Sequence, residues 1–202
     1  MTWIDRLATG WKAWIILFAL TMTAAAPGVF NLPALDRDES RFAQASKQYL
    51  ETGDYIAIRY QDEFRNKKPA GIHWLQAGST AAFGEGEHLD IWTYRVPSWI
   101  GAGLAVLACF WLGIPAIGRR AAFIGSALFG SSLLLTSEAH ISKTDGVLVF
   151  LITLAMGCLV RQSSSESLSS TCTSTISTAP AGGAAARAAA ISDSTAAVNT
   201  FS

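Results

Sequence analysis

Charge is scarce in this chain and none of it is left over. Only 15% of the 202 residues are charged, and 15 Lys and Arg balance 15 Asp and Glu. With no basic stripe, the composition offers no nucleic-acid surface. Cysteine is equally thin: Cys109, Cys158 and Cys172 show neither metal nor redox spacing. Two of them lie inside apolar runs, where Cys behaves as a small hydrophobe. Missing too are a phosphate-cradling glycine loop, a dinucleotide-fold fingerprint, a zinc-protease motif and a nucleophile elbow. These absences remove the common soluble nucleotide-binding and hydrolytic classes.

What is abundant is apolar surface in long blocks. Half the residues are hydrophobic, and seven Trp include several at the edges of those blocks, where an indole can keep its N–H among lipid headgroups. Four spans are expected, at about 11–32, 96–117, 121–137 and 146–161. The last two are short for an apolar core of about 30 Å at about 1.5 Å per residue. The sequence therefore predicts an all-α membrane protein, with residues 1–161 as a transmembrane module and a large helical loop over 33–95 between the first two spans. Arg6, Lys12, Arg119, Arg120 and Arg161 then fall on one side, which the positive-inside rule assigns to the cytoplasm. The 33–95 loop is expected on the periplasmic or exterior side of a bacterial inner membrane. Lys12 before an apolar run, with Ala24, Ala25 and Ala26 behind it, also fits a cleaved signal peptide. Three further apolar blocks favour a retained anchor.

In the loop, Asp36 and Glu39 have capping-box spacing. Phe42, Ala45, Tyr49 and Leu50 recur at helical intervals, and Gly53 is a stop signal. The stretch 55–60 reads as extended, and 72–83 as a second surface or re-entrant helix anchored by Trp74. After Arg161 the chain turns to Ser, Thr and Ala. Residues 162–202 read either as a disordered low-complexity tail or as the product of a shifted reading frame.

Three polar clusters interrupt the apolar pattern. Asp38, Glu39 and Arg41 suit a base with a phosphate clamp, or simply the acid-rich start of a helix. Lys67 and Lys68 before Pro69, followed by His73 and Trp74, suit an anionic headgroup or a solvated loop. The third cluster runs from His140 to Asp145. There Asp145 is either a helix cap or a membrane-edge carboxylate facing a cavity. Glu138 and His140 offer only a weak metal pair.

The ordered set Asp38-Glu39-Ser40-Arg41-Phe42-Ala43, Gly53-Asp54-Tyr55, Asn66-Lys67-Lys68-Pro69, His73-Trp74 and Lys143-Thr144-Asp145 resembles the polyprenyl-phosphate-sugar-dependent glycosyltransferases. This family includes the protein mannosyltransferase-like proteins and the 4-amino-4-deoxy-L-arabinose lipid A transferases. The resemblance covers roughly residues 10–160. It implies the N-terminal part of a GT-C membrane fold and transfer of a sugar from a polyprenyl-phosphate donor to a lipid or protein acceptor at the outer face. By that resemblance Asp38 and Asp145 are the catalytic acids, and Lys68 and Arg41 bind the donor phosphate. Glu39, Lys67 and His73 lend support. In the aminoarabinose branch an acid with a metal-ligand role precedes the Lys-Pro step. Lys67 stands in that place here, so a divalent metal is left open. Family members carry many more spans and an outer domain, so the chain reads as a truncated transferase. The alternatives are an inactive polytopic scaffold or a transporter component, although neither inverted repeats nor paired broken spans are evident.

Overall fold

The computed structural model describes residues 3–34, 37–60, 63–64, 70–84 and 90–178. Short α1 (Trp3–Leu7) precedes α2 (Trp11–Asn31), and α3 (Arg37–Thr52) follows. Two-residue strands β1 (Arg59–Tyr60) and β2 (Glu63–Phe64) pair antiparallel, Arg59 opposite Phe64. Then come α4 (Gly71–Phe83), α5 (Ile91–Ile117), α6 (Arg119–Gly130), α7 (Leu133–Ala139) and α8 (Asp145–Thr178). The protein is an all-α membrane protein apart from that minimal ladder. The helices α2 and α5, and the Asp145–Ser163 part of α8, are long and apolar enough to cross a bilayer. The pair α6 and α7, bent by 55°, makes a fourth span when read as one.

That bend has a local cause. Gly130 is followed by Ser131 and Ser132, and Ser131 Oγ returns its proton to the Ala127 carbonyl at 2.9 Å. Ser132 then caps α7 by accepting the Leu135 N–H at 3.4 Å. Serines that bond back to their own helix loosen its ladder, and a fresh N-cap redirects the chain.

Residues 1–154 form one compact unit; a second begins at Ala155, and its described part is the remainder of α8. In the first unit the core lies among α2, α5, α6 and α7, with Leu17, Ala102, Val106 and Phe110 fully buried. Trp14 meets Phe110 edge-on at 5.1 Å. Arg120 Nε lies 3.9 Å from Asp5 Oδ1, so the N-terminal segment and the α5–α6 turn share one end of the stack. A smaller core at the other end joins α3 to α4 through Ala45, Tyr49, Ile58 and Ala77. Gly53, at φ 71°, ends α3 with its N–H on the Tyr49 carbonyl at 3.0 Å.

The first turns of α5 reach beyond the apolar run. Hydropathy starts this span at Val96, yet the helix begins at Ile91 and so includes Arg95. Pro97 has no N–H to offer the carbonyl of Thr93 four residues back. Ser79 of α4 fills the gap, donating its hydroxyl to that carbonyl at 2.7 Å.

Candidate functional site

Successive residues of an α-helix point about 100° apart, so two adjacent acids cannot share one environment. On α3 this separates Asp38 from Glu39. Asp38 keeps 55% of its side chain exposed and pairs with Arg41, exposed by 31%, at 3.5 Å. Glu39 is completely buried, on the same face as Phe42, Ser46 and Tyr49.

The partner of Glu39 is Arg95. Arg95 Nε donates to Oε1 at 2.6 Å, and Nη2 to Oε2 at 3.1 Å, the two-pronged geometry a guanidinium makes with a carboxylate. The remaining donors close the end of α2. Arg95 Nη1 reaches the carbonyls of Gly28, Val29 and Leu32 at 3.2, 3.1 and 2.7 Å, and Nη2 that of Pro33 at 3.0 Å. The last turn of a helix leaves carbonyls without helical partners, and here one buried cation takes them up. Glu39 Oε1 also accepts the main-chain N–H of Ser142 at 3.1 Å, so the α7–α8 turn joins the same hub. The expected capping box would join Glu39 to Asp36. Asp36 lies outside the described residues.

A second chain of hydrogen bonds runs through α3, α4 and that turn. Ser46 Oγ donates to Gln76 Oε1 at 2.7 Å, and Gln76 Nε2 donates to Ser142 Oγ at 2.8 Å. Ser46 Oγ also stands 2.9 Å from His73 Nδ1. A hydroxyl has one proton to give; with that proton on Gln76, His73 Nδ1 carries the hydrogen of the second bond. His73 is buried, its ring stacked on Phe42 at 5.3 Å and edge-on to Tyr49 at 6.0 Å. Burial pushes the Tyr49 phenol above its ordinary value, and the Asp54 carboxylate pushes it the same way. Asp54 itself accepts the N–H groups of Ile56 and Ala57 at 3.0 and 3.2 Å. Those bonds hold its carboxyl below the usual range. The turn after Gly53 is thus pinned, and its Tyr55 carbonyl receives the Trp74 indole N–H at 2.7 Å.

Asp145 opens α8 and is half-buried. Ser98 Oγ donates to the Lys143 carbonyl at 2.7 Å. Among the described residues no group of three or more His, Cys, Asp or Glu is placed to hold a metal ion.

Ser142 is therefore where three separate stretches of sequence meet: Glu39 from the first cluster, Gln76 one turn beyond His73, and the 140–145 turn. Lys67 and Lys68 lie outside the described residues. Sequence reasoning missed Arg95, Ser46 and Gln76, and held Ser142 only as a member of the His140 to Asp145 cluster. A signal existed for Arg95, since an ionisable residue at the edge of an apolar run calls for a buried partner. Ser46 carried one too, seven residues after Glu39 on the same helical face.

Relatives of known chemistry share this stretch of sequence. An undecaprenyl phosphate-alpha-4-amino-4-deoxy-L-arabinose arabinosyl transferase 2 of Pseudomonas fluorescens is 27% identical over 123 residues, 60% of this chain and 22% of the relative. The transferase of the same kind from Pseudomonas savastanoi pv. phaseolicola is 34% identical over 109 residues, 54% of this chain and 20% of its own. That of Edwardsiella ictaluri is 25% identical over 148 residues, 73% of this chain and 26% of its own. The chain spans about a quarter or less of the length of these relatives. No family model and no solved structure matches. The likeness to polyprenyl-phosphate-dependent glycosyltransferases that the motifs carry is borne out by these relatives.

Proposed function

We propose that this chain carries, in residues 1–161, the membrane module of a glycosyltransferase. It moves a sugar from a polyprenyl-phosphate donor to a lipid acceptor such as lipid A, or to a protein, and Asp38 is its base. One observation carries the assignment. Of two adjacent carboxylates, α3 buries Glu39 in an ion pair and presents Asp38 beside Arg41 at the surface, where an acceptor can reach it. The likeness to the arabinosyl transferases supplies the donor class.

In the proposed step Asp38 takes the proton of an acceptor hydroxyl as its oxygen bonds to the anomeric carbon. The bond from that carbon to the phosphate oxygen breaks, and the polyprenyl phosphate leaves with the electron pair. Arg41 and Lys68 offset the charge that gathers on the departing phosphate. Asp145 is the second active-site carboxylate, and Lys67 and His73 support the site. The helices span a bacterial inner membrane, surrounded by its lipids. The α3–α4 end faces the periplasm or exterior, because Arg6, Lys12, Arg119 and Arg120 belong to the opposite end and favour the cytoplasm.

The test is sugar transfer by the chain reconstituted in nanodiscs and supplied with an undecaprenyl-phosphate sugar. Asp38→Asn lowers transfer at least about a hundredfold, within the usual contribution of a general base, and leaves the melting temperature unchanged. Full transfer by Asp38→Asn overturns the assignment. Sequencing the gene through the codons for Val160 to Ser165 tests the tail separately. A shifted base that restores apolar spans extends the proposed module; a confirmed frame makes 162–202 a genuine tail.

A further inference from the structure

Arg95, Ser98 and Gly101 follow one another at intervals of three on α5, so they lie along one ridge on the face of that helix. This face receives both segments that bear the candidate acids. Arg95 grips Glu39, the immediate neighbour of Asp38. Ser98 Oγ holds the Lys143 carbonyl, two residues before Asp145. Gly146, directly after Asp145, packs so tightly that a Cβ there would stand 2.6 Å from the Ser98 carbonyl oxygen, and one on Gly101 would stand 2.9 Å from the Gly146 carbonyl carbon. Glu39 completes the circuit through the Ser142 N–H at 3.1 Å.

We propose that Arg95 and Glu39 are positioning residues that set the separation of Asp38 from Asp145, with the first turns of α5 as their common template. Arg95 does not double as a phosphate ligand, because every nitrogen of its guanidinium is engaged by Glu39 or by the carbonyls closing α2. The consequence for turnover rests on the transferase reading; the geometric consequence does not. Holding two reacting groups at a fixed spacing is worth orders of magnitude in rate, and a misplacement of about 1 Å can cost about a hundredfold.

The experiment uses the full chain in nanodiscs with Cys109, Cys158 and Cys172 replaced by Ser. Spin labels go on Ser40→Cys and Leu148→Cys, exposed positions of α3 and α8 outside the network. Pulsed electron resonance is expected to give one narrow distance for the otherwise unaltered chain. Glu39→Gln and Arg95→Lys each broaden it at least about twofold, and lower kcat at least about tenfold with KM within about twofold. Lys47→Ala, which breaks the Lys47–Glu51 pair outside the network, changes neither. If Arg95→Lys does not fold, Ser98→Ala removes a single hydrogen bond and is read for the same broadening. An unchanged distance distribution in folded Glu39→Gln and Ser98→Ala overturns the proposal. Absence of transfer by every form counts against the transferase reading and leaves the distance result intact.

Discussion

The two cores of this protein are built from opposite materials. Among α2, α5, α6 and α7, contact is apolar and depends on small residues: a Cβ on Gly103 would stand 2.7 Å from Phe18 and Met22, and one on Gly130 would stand 2.5 Å from Thr21 Oγ1. At the α3–α4 end, the fully buried side chains include Arg95, Glu39, Gln76, Ser46 and Thr93. Lipid is as apolar as Leu, so helices in a bilayer gain little from simply burying hydrocarbon, and close fit has to bring them together. Where the chain leaves the spans, directional bonds can fix its course, provided every buried donor and acceptor is matched. The apolar stack therefore tolerates lost polarity but not added volume, and the polar hub depends on each partner being kept.

Arg95→Ala should give the largest effect. It strands Glu39 in the interior, and breaking a buried pair from one side costs about 3–5 kcal/mol. Unfolding in mixed detergent and urea measures it. Arg95→Met combined with Glu39→Leu should recover most of the loss, since a well-packed apolar pair often replaces a buried ion pair. A loss no greater than that of Arg41→Ala, whose exposed pair with Asp38 is worth about 1 kcal/mol at most, would erase the distinction between the two regions.

Next comes Gly146→Ala. Its new methyl meets main chain at Ser98 rather than a flexible side chain, so overpacking by about 1–3 kcal/mol is expected from the same unfolding measurement. Gln76→Leu follows at about 1 kcal/mol, having removed the link between Ser46 and Ser142 without changing the size of the side chain greatly. An amide-exchange experiment should show the 141–144 turn opening faster in that variant and α2 unaffected.

The smallest effect is the most specific. The Asp54 carboxyl is held below its usual range in the folded chain, so its contribution is complete above the unfolded-state value. That contribution is lost as the pH falls through the folded value. The melting temperature between about pH 6 and about pH 3 should therefore drop slightly less in Asp54→Asn than in the unaltered chain. The amide oxygen can still accept from Ile56 and Ala57 but does not titrate in that range. Equal slopes would mean that the turn after Gly53 does not depend on the charge.

The spans were legible because a bilayer demands long apolar runs and little else; α2 coincides closely with its hydropathy block. The amphipathic α3 and the stop at Gly53 were legible from spacing alone. The candidate site was legible only in pieces. Asp38, Arg41, His73 and Asp145 stand out by residue type, and the period that turns Phe42 and Tyr49 inward turns Glu39 inward too, yet it does not point to an arginine 56 residues away. Arg95 was hidden by its position at the boundary between loop and span.

The sequence by itself determined where this chain can cross a membrane, which stretches are polar enough to act at its edge, and which family it resembles. Those properties are local: composition, periodicity and short motifs act over a few turns of helix. Only the tertiary structure decided that Glu39 meets Arg95, that Arg95 closes the end of α2, and that Ser142 joins three distant clusters. The physical reason is that a buried charge or amide must find its partners in three dimensions. Which partners it finds depends on helices crossing one another, and that crossing is set by packing at glycines and by the bend at Ser131 and Ser132.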